Sequence, residues 1–155
     1  DLDDYRFDKL HYLPRLVDFS AYRGKRLLEV GCGIGTDLVR FARGGAIVTG
    51  IDLSQTAIDL ARKNFELHAV TPEELTVADG EALPYDDDSF DAVYAHGVIQ
   101  YTANPAKLIG ECHRVLKPGG LVAVSEPDIP SFQIATDDSG RCRCCSIATT
   151  PKPSR

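Results

Sequence analysis

The sequence predicts an α/β protein whose strands form an open, mainly parallel sheet with helices on both faces. Short runs rich in Val, Ile and Leu alternate with helical patterns of about a dozen residues, as repeated strand–helix–strand units require. The run 90–95 is almost entirely apolar, which is typical of a strand buried on both faces of a sheet. The chain has 155 residues, of which 43% are hydrophobic and 26% charged, so its size and composition fit one globular domain.

Five strands are predicted from the apolar runs, at 26–30, 46–52, 74–78, 90–95 and 121–125. From Ser131 onward the residues show neither helical nor strand periodicity. We therefore expect a folded domain over 1–130, followed by an irregular, disordered tail over 131–155.

The first three of four predicted helices precede the fourth strand. One covers 8–21, and the next covers 36–43 and ends at Gly44 and Gly45, where left-handed backbone costs little. The third follows Ser54, which is a good N-cap residue, and runs to about residue 67. Its predicted apolar face consists of Ala57, Ala61 and Phe65.

The fourth predicted helix lies between strands four and five. Asn104 and Pro105 supply an N-cap and a first helical residue, and Pro118 with the glycines after it ends the helical pattern. One apolar stripe runs along this helix and is formed by Leu108, Ile109, Cys112, Val115 and Leu116.

Composition argues against several classes of function. The formal net charge is -6, from 17 Lys and Arg against 23 Asp and Glu, which disfavours nucleic acid as the main partner. No apolar run is long enough for a membrane span, and the first residues lack the layout of a secretory signal, so a cytoplasmic location is expected. Of the five cysteines, Cys32 and Cys112 lie isolated among apolar residues, as reduced buried thiols do.

Two clusters of potential metal ligands are incomplete. The three aspartates at 86–88 lack the remaining oxygen ligands of a calcium or magnesium loop and are expected to form a solvated turn. Cys142, Cys144 and Cys145 lack a fourth zinc ligand nearby, since His113 is the nearest histidine in sequence. We therefore predict that the protein binds no metal.

A glycine-rich turn follows the first strand directly and reads Gly31-Cys32-Gly33-Ile34-Gly35. Glycines allow a ligand to approach the backbone closely, and ligands of open parallel sheets bind beyond the carboxyl ends of the strands. The first amides of the helix that follows favour a carboxylate or a phosphate. A tight turn that binds nothing is the alternative interpretation.

An acidic residue ends the second strand and sharpens this interpretation. Asp52 lies 21 positions after Gly31, where a carboxylate can accept both hydroxyls of a ribose. A turn residue that only precedes the next helix is the alternative. The third glycine is Gly35 and Thr36 follows it, which departs from the dinucleotide pattern and disfavours a pyrophosphate ligand.

Five motifs in order resemble the class I S-adenosylmethionine-dependent methyltransferases, in particular the small-molecule branch that includes quinone-precursor and sterol methyltransferases. The resemblance covers about residues 7–127. The motifs are Glu29-x-Gly31-x-Gly33-x-Gly35, Gly50-Ile51-Asp52-Leu53-Ser54, Ala78-Asp79-Gly80-Glu81-Ala82-Leu83-Pro84, Phe90-Asp91-Ala92-Val93 and Arg114-Val115-Leu116-Lys117-Pro118-Gly119-Gly120.

This resemblance implies a Rossmann-like sheet with strand order 3-2-1-4-5 and S-adenosylmethionine as cofactor. The expected reaction is transfer of a methyl group to an O, N or C nucleophile of a small-molecule acceptor. Two alternatives stay open, namely a fragment that binds the cofactor without turnover and, less favoured, a nicotinamide-dependent oxidoreductase.

The resemblance also implies roles for individual residues. The loop Gly31, Cys32, Gly33 and Gly35 would pack against the methionine part of the cofactor, with Glu29 supporting it. Asp52 would hold the ribose, between Ile51 and Leu53 beside the adenine faces. Asp79 would face the adenine amine, and Gly80 or Glu81 the edge of the ring. His96 would border the methionine amine and the reacting methyl group.

Two of these roles have equally simple structural alternatives. Glu81 could instead be a residue at the start of a helix, and His96 could be a packed residue at a strand end. If the acceptor loses a proton, His96 is the candidate catalytic base, because imidazole titrates near neutral pH.

The C-terminal part departs from the family pattern. A family member continues past strand five with a helix and an antiparallel strand pair, and neither is recognisable here, so we expect a truncated or frame-shifted end. Strand five would then be an uncovered edge with apolar Leu121, Val122 and Val124 unpaired on one side.

Overall fold

The computed structural model describes residues 18–126, 129–136 and 142–145, and the surroundings of side chains over 18–123. The strands are β1 Arg26–Val30, β2 Ile47–Asp52, β3 Glu74–Val77, β4 Phe90–His96, β5 Leu116–Glu126, β6 Ile129–Thr136 and β7 Cys142–Cys145. The α-helices are α1 Thr36–Arg43, α2 Gln55–Leu67 and α3 Pro105–Arg114, and a 3-10 turn covers Ile99–Tyr101. None of these helices has the length and apolar character that a membrane span requires.

All seven strands belong to one sheet in the order β3-β2-β1-β4-β5-β6-β7. The first five are parallel, with Leu28 of β1 opposite Thr49 of β2 on one side and Val93 of β4 on the other. This confirms the predicted parallel sheet with order 3-2-1-4-5. The helix predicted over 8–21 lies outside the described residues except for 18–21, of which 19–21 form turns.

The prediction for the C-terminal strands is wrong. β6 pairs antiparallel with β5, so that Leu121 lies opposite Ala135, and β7 pairs antiparallel with β6. Strand five is therefore not an edge, and the segments 129–136 and 142–145 are not irregular. The only sequence signal for β6 was a short alternation of polar and apolar residues over 131–134, which is too short to predict a strand. The strand forms because β5 offers unpaired backbone groups to pair with. The boundary of the domain stays a prediction.

The sheet is covered on both faces by separate apolar clusters, as expected from the apolar run of β4. Successive residues of a strand point to opposite faces, so Leu27 joins one cluster and Leu28 the other. The first cluster packs the sheet against α1 and α2, through residues such as Phe41 and Phe65. The second packs it against α3, for example through Leu108.

The helix caps are those that the sequence predicts, whereas the buried face of α2 and the end of α3 differ from the prediction. Ser54 Oγ accepts the N–H of Ala57, as an N-cap does. The buried face of α2 contains Ile58 with Ala61 and Phe65, whereas Ala57 is half-buried. Ile58 satisfies the same helical spacing and buries more apolar surface than alanine.

The fourth predicted helix ends earlier than its apolar stripe. Asn104 Oδ1 accepts the N–H of Lys107 and Pro105 is the first helical residue, as predicted. The helix ends at Arg114, and Leu116 already belongs to β5, where it pairs with Phe90. Leu116 stays buried because the strand enters the same core as the helix.

Candidate functional site

Four parallel strands end at one edge of the sheet, and each has a predicted site residue at its end or just after it. β1 leads into Gly31, β2 ends at Asp52, β3 is followed by Asp79 after one residue, and β4 ends at His96. The chain order reverses between β1 and β4, and open α/β sheets bind ligands at such a point.

Two cavities open at this edge. The larger has a volume of about 480 Å³, the smaller about 320 Å³, and both are lined by Gly31, Gly97 and Tyr101. Predicted residues in the larger cavity are Gly31, Ile51, Asp52, Leu53, Asp79, Gly80 and Glu81. Those in the smaller cavity are Glu29, Gly31, Cys32, Gly33 and His96.

The glycine loop adopts a backbone that other residues rarely adopt. Gly31, Gly33 and Gly35 have φ angles of 69°, 53° and 76°. The loop is tied to β2, because Cys32 N–H donates to the carbonyl of Ile51 at 2.9 Å. A Cβ on Gly31 would lie 2.6 Å from Cγ2 of Val98, so the absent side chain leaves room where the two cavities meet.

Asp52 is half-buried and binds two backbone amides. Its Oδ2 accepts the N–H of Gly33 at 3.0 Å and its Oδ1 accepts the N–H of Ser54 at 2.9 Å. Each carboxylate oxygen can accept a further hydrogen bond, so the group can still bind hydroxyls of a ligand. Beside it, Ile51 is fully buried, whereas Leu53 is 73% exposed at the rim of the larger cavity.

The segment after β3 forms the far wall of the larger cavity. Asp79 Oδ1 accepts the N–H of Glu81 at 2.8 Å. The Asp79 side chain is exposed. A Cβ on Gly80 would lie 2.8 Å from Cγ1 of Val30, so glycine lets this segment approach β1 closely.

The Glu81 carboxylate binds the segment after β4. Its Oε1 accepts Oγ1–H of Thr102 at 2.5 Å and N–H of Asn104 at 2.8 Å. These hydrogen bonds, the one from Thr102 foremost, hold the pKa of Glu81 below its usual range. Glu81 therefore contacts Asn104, the N-cap of α3, but it lies in a turn and not at the start of a helix of its own, where the alternative interpretation expected it.

Buried carboxylates and an imidazole surround the smaller cavity. Glu29 and Asp37 are buried, and Tyr94 Oη–H donates to Oδ2 of Asp37 at 3.2 Å. The ring of His96 lies parallel to that of Tyr94, with 6.4 Å between centroids. Burial raises the pKa of the Cys32 thiol, so this cysteine is a neutral group in the loop.

Gly35 is the one predicted loop glycine that lines neither cavity. It caps the N-terminus of α1, and a Cβ there would lie 3.2 Å from the Cβ of Ala61. Its closeness to α2 gives it a packing role, and its contact with the cofactor stays a prediction.

The sequence missed the segment between β4 and α3. Several cavity-lining residues lie there, namely Gly97, Val98, Gln100, Tyr101, Thr102 and Ala103. The segment has no periodicity, and its sequence signals are a glycine after the strand and an aromatic residue that turns out to be 82% exposed, Tyr101.

The potential metal ligands form no site in the described residues. Over 18–123, where side-chain surroundings are described, no three His, Cys, Asp or Glu side chains come together as metal ligands would. The aspartates at 86–88 are exposed, and Asp87 pairs with Arg114 at 2.8 Å. The side chains of Cys142, Cys144 and Cys145 lie outside the described part.

The chain is similar to known methyltransferases and to proteins that share their fold. The methyltransferase domain family matches residues 28–124. A ubiquinone biosynthesis O-methyltransferase from Alkalilimnicola ehrlichii is 40% identical, over 76% of this chain and 47% of that protein. The solved structure of the (4+2)-cyclase SpnF is 38% identical with a TM-score of 0.65, over 71% of this chain and 43% of that one.

A third similarity concerns the cofactor. The solved structure of a SAM-dependent methyltransferase from Methanosarcina mazei is 29% identical with a TM-score of 0.59, over 67% of this chain and 54% of that one. The chain spans about half the length of the curated relatives it matches. It belongs to the methyltransferase domain family.

Proposed function

We propose that the protein transfers a methyl group from S-adenosylmethionine to a small-molecule acceptor. The observation that carries this proposal is the meeting of the two cavities at Gly31 and Gly97, with Asp52 in one and His96 in the other. A nucleoside joined to an amino acid has this two-part form, and both volumes fall within the range of about 300–1,000 Å³ of ligand pockets.

The larger cavity suits the nucleoside. Asp52 keeps acceptor capacity for the two ribose hydroxyls. The exposed Leu53 can cover one face of the adenine, and the exposed Asp79 carboxylate can accept a hydrogen bond from the adenine amine. An uncharged ring fits here because aliphatic side chains such as Val98 and Leu108 complete the lining.

The smaller cavity suits the amino-acid end. Glu29 and Asp37, two buried carboxylate side chains that line this cavity, can attract an ammonium group. The bends at Gly31 and Gly33 let the ligand lie against the backbone.

The cofactor supplies an electrophilic methyl group, so the residues mainly have to orient a nucleophile and exclude water. His96 lies at the end of β4 in the smaller cavity, where its imidazole can take a proton from the acceptor. By analogy with the relative named an O-methyltransferase of ubiquinone biosynthesis, we propose a hydroxyl oxygen as the acceptor atom.

Cofactor binding and turnover need separate experiments, because the neighbour SpnF is named a cyclase although it shares this fold. Calorimetric titration with S-adenosylmethionine, S-adenosylhomocysteine and NAD tests the cofactor. Micromolar binding of the first two without NAD binding is expected, and the reverse would favour the oxidoreductase. Mass detection of methylated products across phenols, amines and carbon acids then separates an enzyme from a fragment that only binds.

A further inference from the structure

The segment 97–104, between β4 and α3, is one wall of both cavities. Its residues contribute to each, and Tyr101 stands where the two meet. Two backbone hydrogen bonds support its 3-10 turn, from Tyr101 N–H to Val98 at 3.0 Å and from Thr102 N–H to Ile99 at 3.3 Å. The position of the segment relative to the two cavities also depends on contacts with other parts of the chain.

Such a contact comes from the opposite wall of the larger cavity. One oxygen of Glu81 binds Thr102 Oγ1–H and Asn104 N–H, at 2.5 and 2.8 Å. The backbone N–H of Glu81 is itself bound by Asp79, at 2.8 Å. These contacts link the segment proposed to face the adenine to the segment that lines both cavities.

We propose that Glu81 is a positioning residue that holds the 97–104 segment in its binding-competent place through Thr102 and Asn104. The inference rests on the proposed function, since it assumes that S-adenosylmethionine occupies the two cavities. It replaces the direct contact with the adenine edge that the sequence suggested.

Three observations favour this indirect role. Hydrogen bonds to a carboxylate are stronger than those between neutral groups, so one oxygen can hold two donors. The lowered pKa of Glu81 keeps that oxygen charged at neutral pH. At the other end of the segment, Gly97 has a φ angle of 68°, and nothing lies within 4 Å of the position that a Cβ would take, so no neighbour packs against that side of the residue.

The binding experiment titrates S-adenosylhomocysteine into the purified chain by calorimetry. Glu81→Ala is expected to raise the Kd about tenfold and Thr102→Val about fivefold, as hydrogen bonds to a charged group would. The double variant should bind as weakly as Glu81→Ala alone, because both changes remove the same contact between Glu81 and Thr102. Glu81→Gln should raise the Kd less than Glu81→Ala does, since an amide oxygen accepts the same two bonds but without the charge.

Matched controls change exposed residues of the same type away from both cavities. Glu66→Ala in α2 and Thr71→Val before β3 are expected to leave the Kd unchanged. Additive losses in the double variant, or a normal Kd for Thr102→Val, would mean that Glu81 touches the cofactor directly and would overturn the proposal.

Hydrogen exchange of the ligand-free chain separates this inference from the proposed function. Amides of 97–104 should exchange faster in Glu81→Ala and Thr102→Val than in wild type and Glu81→Gln, with β1 and β2 unchanged. Equal exchange in all four proteins would reject the holding role even if the cofactor binds. If the wild type binds no S-adenosylhomocysteine, the proposed function and the role of Glu81 in binding are both rejected. Faster exchange of 97–104 in Glu81→Ala and Thr102→Val would still support the holding contact between Glu81 and this segment.

Discussion

The backbone N–H of Gly33 donates a 3.0 Å hydrogen bond to Oδ2 of Asp52, so the carboxylate at the end of β2 fixes the glycine loop after β1. The residue proposed to hold the ribose therefore also shapes the surface proposed to hold the amino-acid end. The second oxygen is bound by the N–H of Ser54 at 2.9 Å, at the start of α2. A change at Asp52 should consequently affect both halves of the site.

Asp52→Asn is expected to weaken binding of S-adenosylhomocysteine at least tenfold. An amide has one acceptor oxygen, so it cannot bind Gly33 and Ser54 and also accept both ribose hydroxyls, and a lost bond to a charged group costs about 1.5–3 kcal/mol. Calorimetric titration measures the loss. Asp59→Asn, an exposed α2 carboxylate that bonds to Arg62, is the control and should bind normally. Equal affinity of Asp52→Asn and wild type would contradict the ribose role.

Gly31→Ala is expected to lower stability and abolish cofactor binding. The φ angle of 69° costs a side chain about 1–2 kcal/mol, and the new Cβ would overlap Cγ2 of Val98 at 2.6 Å. Thermal melting should show a loss of several degrees. The matched control is Gly110→Ala in the exposed side of α3, where nothing lies within 4 Å and alanine should add up to about 1 kcal/mol. Similar melting of both variants would refute this account of the loop.

The parallel sheet and the glycine loop were predictable because their signals are local. The central strands are buried over most of their length and are therefore mostly apolar, and the place of Asp52 follows from the end of its strand. The 97–104 segment was not predictable, because its place depends on Glu81, which is 21 positions from Thr102 in the chain. A contact between two irregular segments leaves no periodic pattern in a sequence.

The same contrast separates Gly31 from Gly35. Both occupy the motif that the sequence singled out, and both have positive φ angles. Gly31 faces the cavities, whereas Gly35 is closed off by Ala61 on α2. Which glycine of the loop meets a ligand depends on how α2 packs against α1, and spacing alone does not report that.

His96→Ala is expected to reduce kcat about a hundredfold while the Kd for S-adenosylmethionine stays unchanged. The imidazole would act on the acceptor proton and would contribute little to holding the cofactor. Single-turnover kinetics with an identified acceptor, set beside calorimetry, measures the two effects. His68→Ala at the end of α2, outside both cavities, serves as the control. A parallel loss of binding and turnover would instead assign His96 a packing role beside Tyr94.

Glu111 holds the acidic loop after β3 against α3, which predicts a measurable pH dependence of stability. Its carboxylate accepts Nε–H of Arg114 and the N–H of Leu83, each at 2.8 Å. The hydrogen bonds from Arg114, ahead of the one from Leu83, hold the pKa of Glu111 below its usual value. The Glu111 carboxylate is therefore protonated at lower pH in the folded chain than in the unfolded chain, where a glutamate has a pKa of about 4.3.

The stabilisation from Glu111 is thus fully present above the unfolded pKa, and it is lost as the pH falls through the lower folded pKa. Urea unfolding between about pH 6 and pH 3 should show a smaller acid-induced fall in stability for Glu111→Gln than for wild type, because glutamine does not titrate. Other carboxylates with lowered pKa values, such as Asp91, contribute equally to both proteins and cancel in the difference. Glu66→Gln, an exposed α2 glutamate, should retain the wild-type profile. If Glu111→Gln and wild type lose stability in parallel, the contact with Arg114 does not stabilise the fold.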